Sequence, residues 1–181
     1  MERTVPEATL ASGEHGAAPT DEGWFVLNAR DARWFESDGM GLYTTFQGDD
    51  VRFPQLGFNI GILRPGEPNC MYHGEGAQED FLVLAGECLL IVDGEERSLR
   101  QWDFVHCPAW TEHVFVGQGD GPCVVAAVGA RTKGRGVRYT VNEAALRHGA
   151  GVEQETTEPS EAYARFAEDR PTACPPEFPP A

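Results

Sequence analysis

The sequence predicts an all-β domain, a sandwich or barrel of short strands, and three observations support this. Runs of aromatic and β-branched residues recur at short, even spacing through the middle of the chain. Turn residues separate these runs, and the pair Asp93-Gly94 is typical of a two-residue hairpin because a type I′ turn needs two positive φ values. Helical spacing of apolar residues occurs only after about residue 141. We therefore predict an antiparallel barrel followed by short helices.

The strand-like runs can be placed in order along the chain. A break at Pro65-Gly66 ends a long apolar run, and Pro108 ends another before a tight turn. The predicted strands lie at residues 24–28, 42–46, 56–63, 71–75, 79–84, 88–92, 95–99, 102–107, 113–117 and 123–128.

Composition divides the chain into four predicted segments. The first has almost no large apolar side chain, so burial cannot offset the entropy of ordering it. After the barrel, Asn142 is a suitable cap for a helix that ends at Gly149, and the apolar spacing from Pro159 to Asp169 predicts a second helix. The segments are a flexible arm (1–20), a barrel with N-terminal strands (21–140), a helical extension (141–170) and a Pro-rich extended tail (171–181).

Charge and cysteine content argue against several classes of binding partner and several cellular locations. Fourteen basic and twenty-nine acidic residues give a net charge of -15, which repels nucleic acids and anionic membranes. The chain has no apolar run of about 18 residues and no signal-peptide pattern at its start. Its five cysteines include no Cys-x-x-Cys pair. We expect a cytoplasmic protein that binds neither nucleic acid nor membrane.

Metal-ligating side chains concentrate in one stretch. His73, Glu75 and Glu79 occur within seven residues, directly ahead of an apolar strand. In an extended strand alternate side chains share a face, so His73 and Glu75 point the same way. Glu79 would begin the next antiparallel strand and face the same interior. A buried cluster of this kind is costly unless a cation or hydrogen bonds satisfy it, so the stretch indicates a metal site.

The same stretch begins a two-part pattern that resembles the cupins. Its first part is Gly-x5-His-x-His-x3-Glu-x6-Gly and its second is Gly-x5-Pro-x-Gly-x2-His-x3-Asn; the chain is similar to both across residues 66–117. The matching residues are Gly66, His73, Glu79, Gly86, Pro108 and His113. The resemblance implies a double-stranded β-helix, or jelly-roll barrel, that is commonly a homodimer and holds one divalent metal with three His and one Glu.

The chain departs from the cupin pattern in several places, and the first is one extra residue between Gly66 and His73. Glu75 occupies the place of the second His, so the candidate metal ligands become His73, Glu75, Glu79 and His113. Trp102 and Trp110 replace the two glycines of the second part, which leaves the turn geometry there open, and Gly117 replaces the Asn.

The ligand set leaves the metal and the role of Glu75 open. Two carboxylates would neutralise a divalent cation, and Fe, Mn, Zn and Ni all suit a mixed His and carboxylate site. Glu75 is either a fourth ligand or a catalytic general base beside the metal. Alternatively, His73 and His113 are ordinary core histidines hydrogen-bonded to the glutamates.

Two functions follow from these candidates. The first is a metal-dependent enzyme, a dioxygenase or isomerase, with a small polar or carbohydrate-like substrate. The second is a non-catalytic cupin that binds or senses a small ligand. A purely structural dimerisation module would leave the inward acids unexplained. Among weaker candidates, the parity of Cys70 and Tyr72 favours outward packing, and His106 is interpreted as a core histidine. Trp110 is interpreted as barrel packing, although its place in the turn before His113 could also let it line a pocket mouth.

Overall fold

The computed structural model describes residues 4–134, 136–176 and 178, and over these residues the regular secondary structure consists almost entirely of short β-strands. The strands are β1 (Leu10–Gly13), β2 (Gly16–Pro19), β3 (Trp34–Glu36), β4 (Leu42–Thr44), β5 (Leu56–Leu63), β6 (Gly74–Glu75), β7 (Glu79–Ala85), β8 (Glu87–Val92), β9 (Glu95–Arg100), β10 (Phe104–Cys107), β11 (His113–Gln118), β12 (Cys123–Ala130), β13 (Val137–Arg138) and β14 (Arg170–Thr172). The helices are α1 (Glu143–Arg147) and α2 (Pro159–Ala162).

Two antiparallel sheets face each other and form the predicted jelly-roll barrel. The larger has the strand order β10-β7-β12-β5-β4-β3-β14, and the smaller has the order β11-β8-β9. After β7 the chain passes to the smaller sheet for β8 and β9, returns to the larger sheet for β10, passes back for β11 and returns again for β12. The all-β prediction is therefore confirmed.

The barrel core lies between the sheets because alternate residues of each strand point inward. Inward side chains of both sheets form one cluster: Leu63, Phe81, Val83, Cys88, Leu90, Cys107, Phe115, Cys123 and Val125. A second cluster covers the outer face of the small sheet, where Tyr72, Ile91 and Val114 pack against the alanines of α1. Trp34 and Phe178 cover part of the outer face of the large sheet.

The N-terminal segment contains a strand pair that the sequence analysis missed. Strands β1 and β2 are antiparallel, and the backbone N–H of Ala17 donates to the carbonyl oxygen of Asp31 at 2.7 Å. A Cβ at Gly16 would lie 2.4 Å from the carbonyl oxygen of Ala32, so only glycine permits this close approach. Backbone hydrogen bonds, rather than the burial of large apolar side chains, hold this hairpin in place. Residues 1–3 of the predicted arm lie outside the described residues.

The C-terminal helices are shorter than predicted. The side chain of Asn142 accepts a hydrogen bond from the N–H of Ala145, which confirms the predicted cap of α1. The second helix ends at Ala162, so the helix predicted through Asp169 is wrong beyond that residue. There the N–H groups of Ala164 and Phe166 bond three residues back rather than four, which makes successive turns.

The predicted extended tail lies against the barrel. Strand β14 pairs with β3 at the edge of the large sheet, and Phe178 is buried with its ring 5.2 Å from that of Trp34. The remaining tail residues, 177 and 179–181, lie outside the described residues. The limits of the four segments stay predictions.

The two tryptophans that replace glycines keep the left-handed backbone of the turns they occupy. Trp102 has φ 76° and Trp110 has φ 71°, a region that costs an ordinary residue roughly 1–2 kcal/mol. Gly86, at the end of the first part of the pattern, has φ 71°, and a Cβ there would lie 2.4 Å from the carbonyl oxygen of Pro122. The turns therefore require a positive φ even at Trp102 and Trp110, where the side chain makes this conformation unfavourable.

The strain at Trp102 predicts an unusual mutational effect. Trp102 is 66% exposed, so Trp102→Gly relieves backbone strain with little loss of packing. We expect its free energy of unfolding in urea to rise by about 0.5–1 kcal/mol. Phe104→Gly is the control, since Phe104 is 64% exposed but lies in regular strand, and we expect this variant to be less stable. Equal destabilisation of both variants would contradict the strain argument.

Candidate metal centre

Three of the four predicted ligands meet between the two sheets. Glu79 begins β7, His113 begins β11, and His73 lies one residue before β6. One ligand atom from each lies within 4.8 Å of the other two. Nε2 of His113 is 3.6 Å from Oε2 of Glu79, and the two imidazole rings are 5.2 Å apart. Two imidazole nitrogens and one carboxylate oxygen are therefore close enough together to bind one ion.

The backbone fixes the two histidines relative to each other. His73 forms an isolated antiparallel bridge with His113, the first residue of β11. The N–H of His113 donates to the carbonyl oxygen of His73 at 2.9 Å, and the reverse bond is 3.2 Å. Side chains of directly paired residues share a face, so the imidazoles of both residues face the same interior.

Each imidazole is also oriented by a hydrogen bond from its own Nδ1. Nδ1 of His73 lies 2.8 Å from the carbonyl oxygen of Met71, and Nδ1 of His113 lies 3.0 Å from that of Thr111. A carbonyl oxygen only accepts, so these contacts assign the proton to Nδ1. Both Nε2 atoms are left with a lone pair, as a metal ligand requires.

Burial keeps both imidazoles neutral. His73 is 8% exposed and His113 is 1% exposed. Burial, followed by the charge of His113, lowers the pKa of His73 to about 4. Burial likewise lowers the pKa of His113. Both side chains are therefore in the metal-binding form at neutral pH.

The distances favour ligands of one cation over simple hydrogen bonding. Nε2 of His73 lies 4.0 Å from Oε1 of Glu75, and the corresponding contact from His113 to Glu79 is 3.6 Å. Both exceed the 2.7–3.2 Å of a hydrogen bond. Donors at about 2.1 Å from one metal are spaced by about 3 Å or more, so this donor set fits a divalent cation.

Glu75 lies beside the triad of His73, Glu79 and His113 rather than within its tightest grouping. Its carboxylate faces the Nε2 side of His73, and its side chain is 20% exposed. Strand β6 carries Glu75 and pairs with β13, where Val137 is its partner. The carboxylate is therefore close enough to approach a bound ligand from the rim.

The weaker candidates have mixed outcomes. Tyr72 packs outward, as its parity predicts, and Cys70 contacts the same outer cluster. Bends at residues 69, 70 and 72 also bring Sγ of Cys70 within 3.7 Å of Nδ1 of His73, because this segment is not a regular strand. The interpretation of His106 as a core histidine is wrong. Its half-exposed side chain lies on the outer face, with Nδ1 2.6 Å from Oδ1 of Asp80.

The C-terminal extension supports the histidine segment in a way the sequence did not reveal. The N–H of Met71 donates to Oη of Tyr163 at 3.1 Å, and the carbonyl oxygen of Met71 holds His73. The ring of Tyr139 lies 5.8 Å from that of His73 and 5.9 Å from that of Tyr163. A chain of contacts thus joins Tyr163 to the imidazole of His73.

Backbone contacts extend this support along the segment. The N–H of Tyr72 donates to the carbonyl oxygen of Ala150 at 2.7 Å, and that of Gly76 donates to Gly136 at 2.9 Å. The spacing of Tyr163 in the sequence indicated only a packed helix. Nothing in the sequence pairs it with a residue ninety positions earlier.

The central part of the barrel matches a known protein family. Residues 59–129, which contain the triad, match the sequence profile of the cupin domain family. This segment is a cupin domain. The family often binds a metal. No curated protein matches the sequence, and none of the helices within the described residues is long and apolar enough to cross a membrane.

Three solved structures overlap with part of the chain. A putative sugar phosphate isomerase from Acidithiobacillus ferrooxidans is 23% identical with a TM-score of 0.49; the match covers 54% of this chain and 63% of that one. A cupin-superfamily sugar phosphate isomerase from Silicibacter pomeroyi is 26% identical with a TM-score of 0.49, covering 59% and 73%. A cupin 2 conserved barrel domain protein from Salinispora arenicola is 20% identical with a TM-score of 0.48, covering 60% and 89%. The chain thus spans less than two thirds of the first of these proteins.

The contact between Tyr163 and Met71 predicts an effect on metal affinity. Tyr163→Phe removes the hydroxyl but keeps the ring, so the N–H of Met71 loses its acceptor and the backbone that orients His73 is held less firmly. We expect affinity for Zn²⁺, measured by competition with a chelating dye, to fall about tenfold.

Ser37→Ala is the matched control for Tyr163→Phe. It removes a 3.1 Å hydrogen bond from Ser37 to Ala167 in the same extension, away from Met71. Each variant loses one hydrogen bond, so both should lose about 1 kcal/mol of stability. Equal Zn²⁺ affinities in the two variants would show that Tyr163 has no role in orienting His73.

Proposed function

We propose that the protein is a metal-dependent cupin enzyme, of dioxygenase or isomerase type, that acts on a small molecule. The observation that supports this is the triad itself. Two buried Nε2 atoms and one carboxylate face a common point, and both imidazoles have their Nδ1 protons held by backbone carbonyls. His73, Glu79 and His113 would hold one divalent cation, with Fe, Mn, Zn and Ni as candidates.

The residues around the cation would have different roles in binding the metal, leaving room for substrate and excluding water. A bound divalent metal supplies Lewis acidity toward a substrate oxygen. A triad of two histidines and one carboxylate on one side leaves coordination positions for substrate. Phe81 packs edge-on against His113 with a ring separation of 5.1 Å, which keeps water from that side of the imidazole.

The role of Glu75, as a base or as a fourth ligand, bears on which of the two reaction types the site performs. Its carboxylate lies on the open side of His73, from which it could accept a proton from a bound substrate. An isomerase needs such a base to move a proton between two carbons. If Glu75 is instead a fourth ligand, the cation is neutralised by two carboxylates and is a weaker Lewis acid.

A small-molecule pocket adjoins the triad. A cavity of about 190 Å³ is lined by inward residues of the large sheet, including Asn59, Gly61 and Ala127, and by Phe81 and Phe115. Phe81 also contacts His113, so one aromatic ring separates the cavity from the triad. A mostly apolar wall with few polar groups is typical of small-ligand sites.

Metal content tests the proposed site. Protein purified without a chelating column should contain about one divalent metal per chain, and Glu79→Gln should lose it, because an amide oxygen carries no charge to offset the cation. Asp80→Asn is the control, since it makes the same change one residue away on a carboxylate paired with His106. A metal-free wild type, with an unchanged melting profile in Glu79→Gln, would refute the metal site.

Turnover separates the enzyme from the alternative, a cupin that only binds or senses a ligand. Glu75→Gln should keep the metal and lose activity if Glu75 is the base, and should lose metal if it is a ligand. Oxygen uptake by the Fe-loaded protein identifies the dioxygenase. Ligand-induced melting shifts without turnover would support the binding protein instead.

The proposal includes the predicted homodimer and cytoplasmic location. Phe104 is exposed on the edge strand β10, and a second copy would bury this apolar surface. All five cysteines are free thiols in the structure, as a reducing compartment maintains them. Light scattering of the purified protein tests the dimer.

A further inference from the structure

Glu75 lies on a stretch of backbone that is flexible by composition. Gly74 precedes it on the two-residue strand β6, and Gly76 follows it directly. Glycine restricts its φ and ψ angles less than any other residue. A carboxylate that acts at a bound metal has to keep its position to within about 0.5 Å. Contacts from outside β6 therefore have to hold Glu75 in place.

Backbone hydrogen bonds hold the peptide group between Glu75 and Gly76 from both sides. The N–H of Trp110 donates to the carbonyl oxygen of Glu75 at 2.6 Å, and the N–H of Gly76 donates to the carbonyl oxygen of Gly136 at 2.9 Å. The C=O and N–H of one trans peptide group point in opposite directions. Trp110 therefore lies on one side of β6, and β13, where Val137 pairs with Glu75, lies on the other.

The indole ring of Trp110 covers one face of the same backbone. A Cβ at Gly76 would lie 3.0 Å from Cζ2 of this ring, and one at Gly136 would lie 3.4 Å from Cη2. Neighbouring residues of an extended chain point to opposite faces, so the ring lies on the face opposite to the side chain of Glu75. The ring thus blocks movement of this backbone away from the triad.

Arg138 helps to fix the indole ring. Its Cζ lies 6.0 Å from the centre of the Trp110 ring, which is within reach of a cation–π interaction. Nη2 of Arg138 donates to Oε1 of Glu112 at 2.7 Å, and Oγ1 of Thr140 donates to Oε2 of the same carboxylate at 2.8 Å. Trp110 is therefore held in place although it is 50% exposed.

The backbone of Trp110 is in a conformation that an ordinary side chain disfavours. Its φ of 71° is close to the 76° of Trp102. Strained residues persist where their surroundings determine the conformation, and they are common at functional sites. Of the two tryptophans, Trp110 contacts the segment that carries Glu75, whereas the N–H of Trp102 donates to the carbonyl oxygen of Val83 on β7. The strain at Trp110 is thus associated with the candidate metal centre.

We propose that Trp110 is a positioning residue that holds the carboxylate of Glu75 at the rim of the triad. Its N–H fixes the peptide group that follows Glu75, and its ring closes the face behind it. This inference rests on the proposed function, in which Glu75 is either a base or a fourth ligand of the metal. In both roles, loss of the indole would let the carboxylate move away and leave the metal more accessible to a small anion.

Amide hydrogen exchange in the metal-free protein tests the positioning contacts by themselves. Trp110→Gly relieves the backbone strain but removes the covering ring. We expect the protection factors of the N–H groups at positions 110 and 76 to fall about tenfold in this variant. Trp102→Gly is the matched control, the same change at a similar φ, and should leave both protection factors unchanged. Equal protection in Trp110→Gly and wild type would overturn the proposal.

Azide binding to the Co²⁺-loaded protein tests whether Trp110 acts through Glu75. The variants are compared at a Co²⁺ concentration that saturates each of them. The charge of Glu75 repels an anion near the metal, so Glu75→Gln and Trp110→Gly should each tighten azide binding about fivefold, measured by visible absorption. Trp102→Gly should bind azide as the wild type does.

The double variant decides between an effect through Glu75 and a separate one. Adding Trp110→Gly to Glu75→Gln should leave azide affinity unchanged, because the charge that Trp110 holds in place is already absent. A second increase of the same size would overturn the proposal. If the wild type takes up no Co²⁺, the proposed function fails, while the hydrogen-exchange experiment still decides whether Trp110 holds the backbone of Glu75.

Discussion

The hydrogen bonds from Nδ1 of His73 and His113 to carbonyl oxygens two residues earlier fix the orientation on which the candidate metal centre depends. They place the proton on one nitrogen and direct the other toward the carboxylates. Burial then removes the competing protonated state. Each of these effects is local, but the pairing of the two histidine backbones places both in one interior. The site therefore depends on the register between two strand ends more than on any single side chain.

Backbone geometry also explains how the chain departs from the cupin pattern without losing the fold. The turns at Trp102 and Trp110 keep positive φ values although glycine is absent. Sheet pairing on both sides determines the path of each turn, so the tryptophans adopt a conformation they do not favour. Conversely, glycine at position 117, where the pattern has Asn, is a matter of space, since a Cβ there would lie 2.1 Å from the carbonyl oxygen of Arg64.

Much of the barrel was predictable because alternation and turn chemistry are local signals. Asp93-Gly94 has the two positive φ values that its hairpin requires, and Asn142 caps its helix as expected. The convergence of His73, Glu79 and His113 followed from motif spacing. The hairpin of β1 and β2 was missed because backbone hydrogen bonds, not apolar burial, hold it. The position of Cys70 and the contact of Tyr163 with Met71 depend on irregular backbone and on distant sequence, which no local pattern reports.

The support that the C-terminal extension gives to His73 has a consequence for biosynthesis. Met71 and Tyr163 are 92 positions apart, and Ala150 holds Tyr72 from a similar distance. While the chain is emerging from the ribosome, the barrel strands are available long before these partners. The histidine segment reaches its final form only when the extension docks, so a fully oriented site arises after synthesis of the barrel is complete.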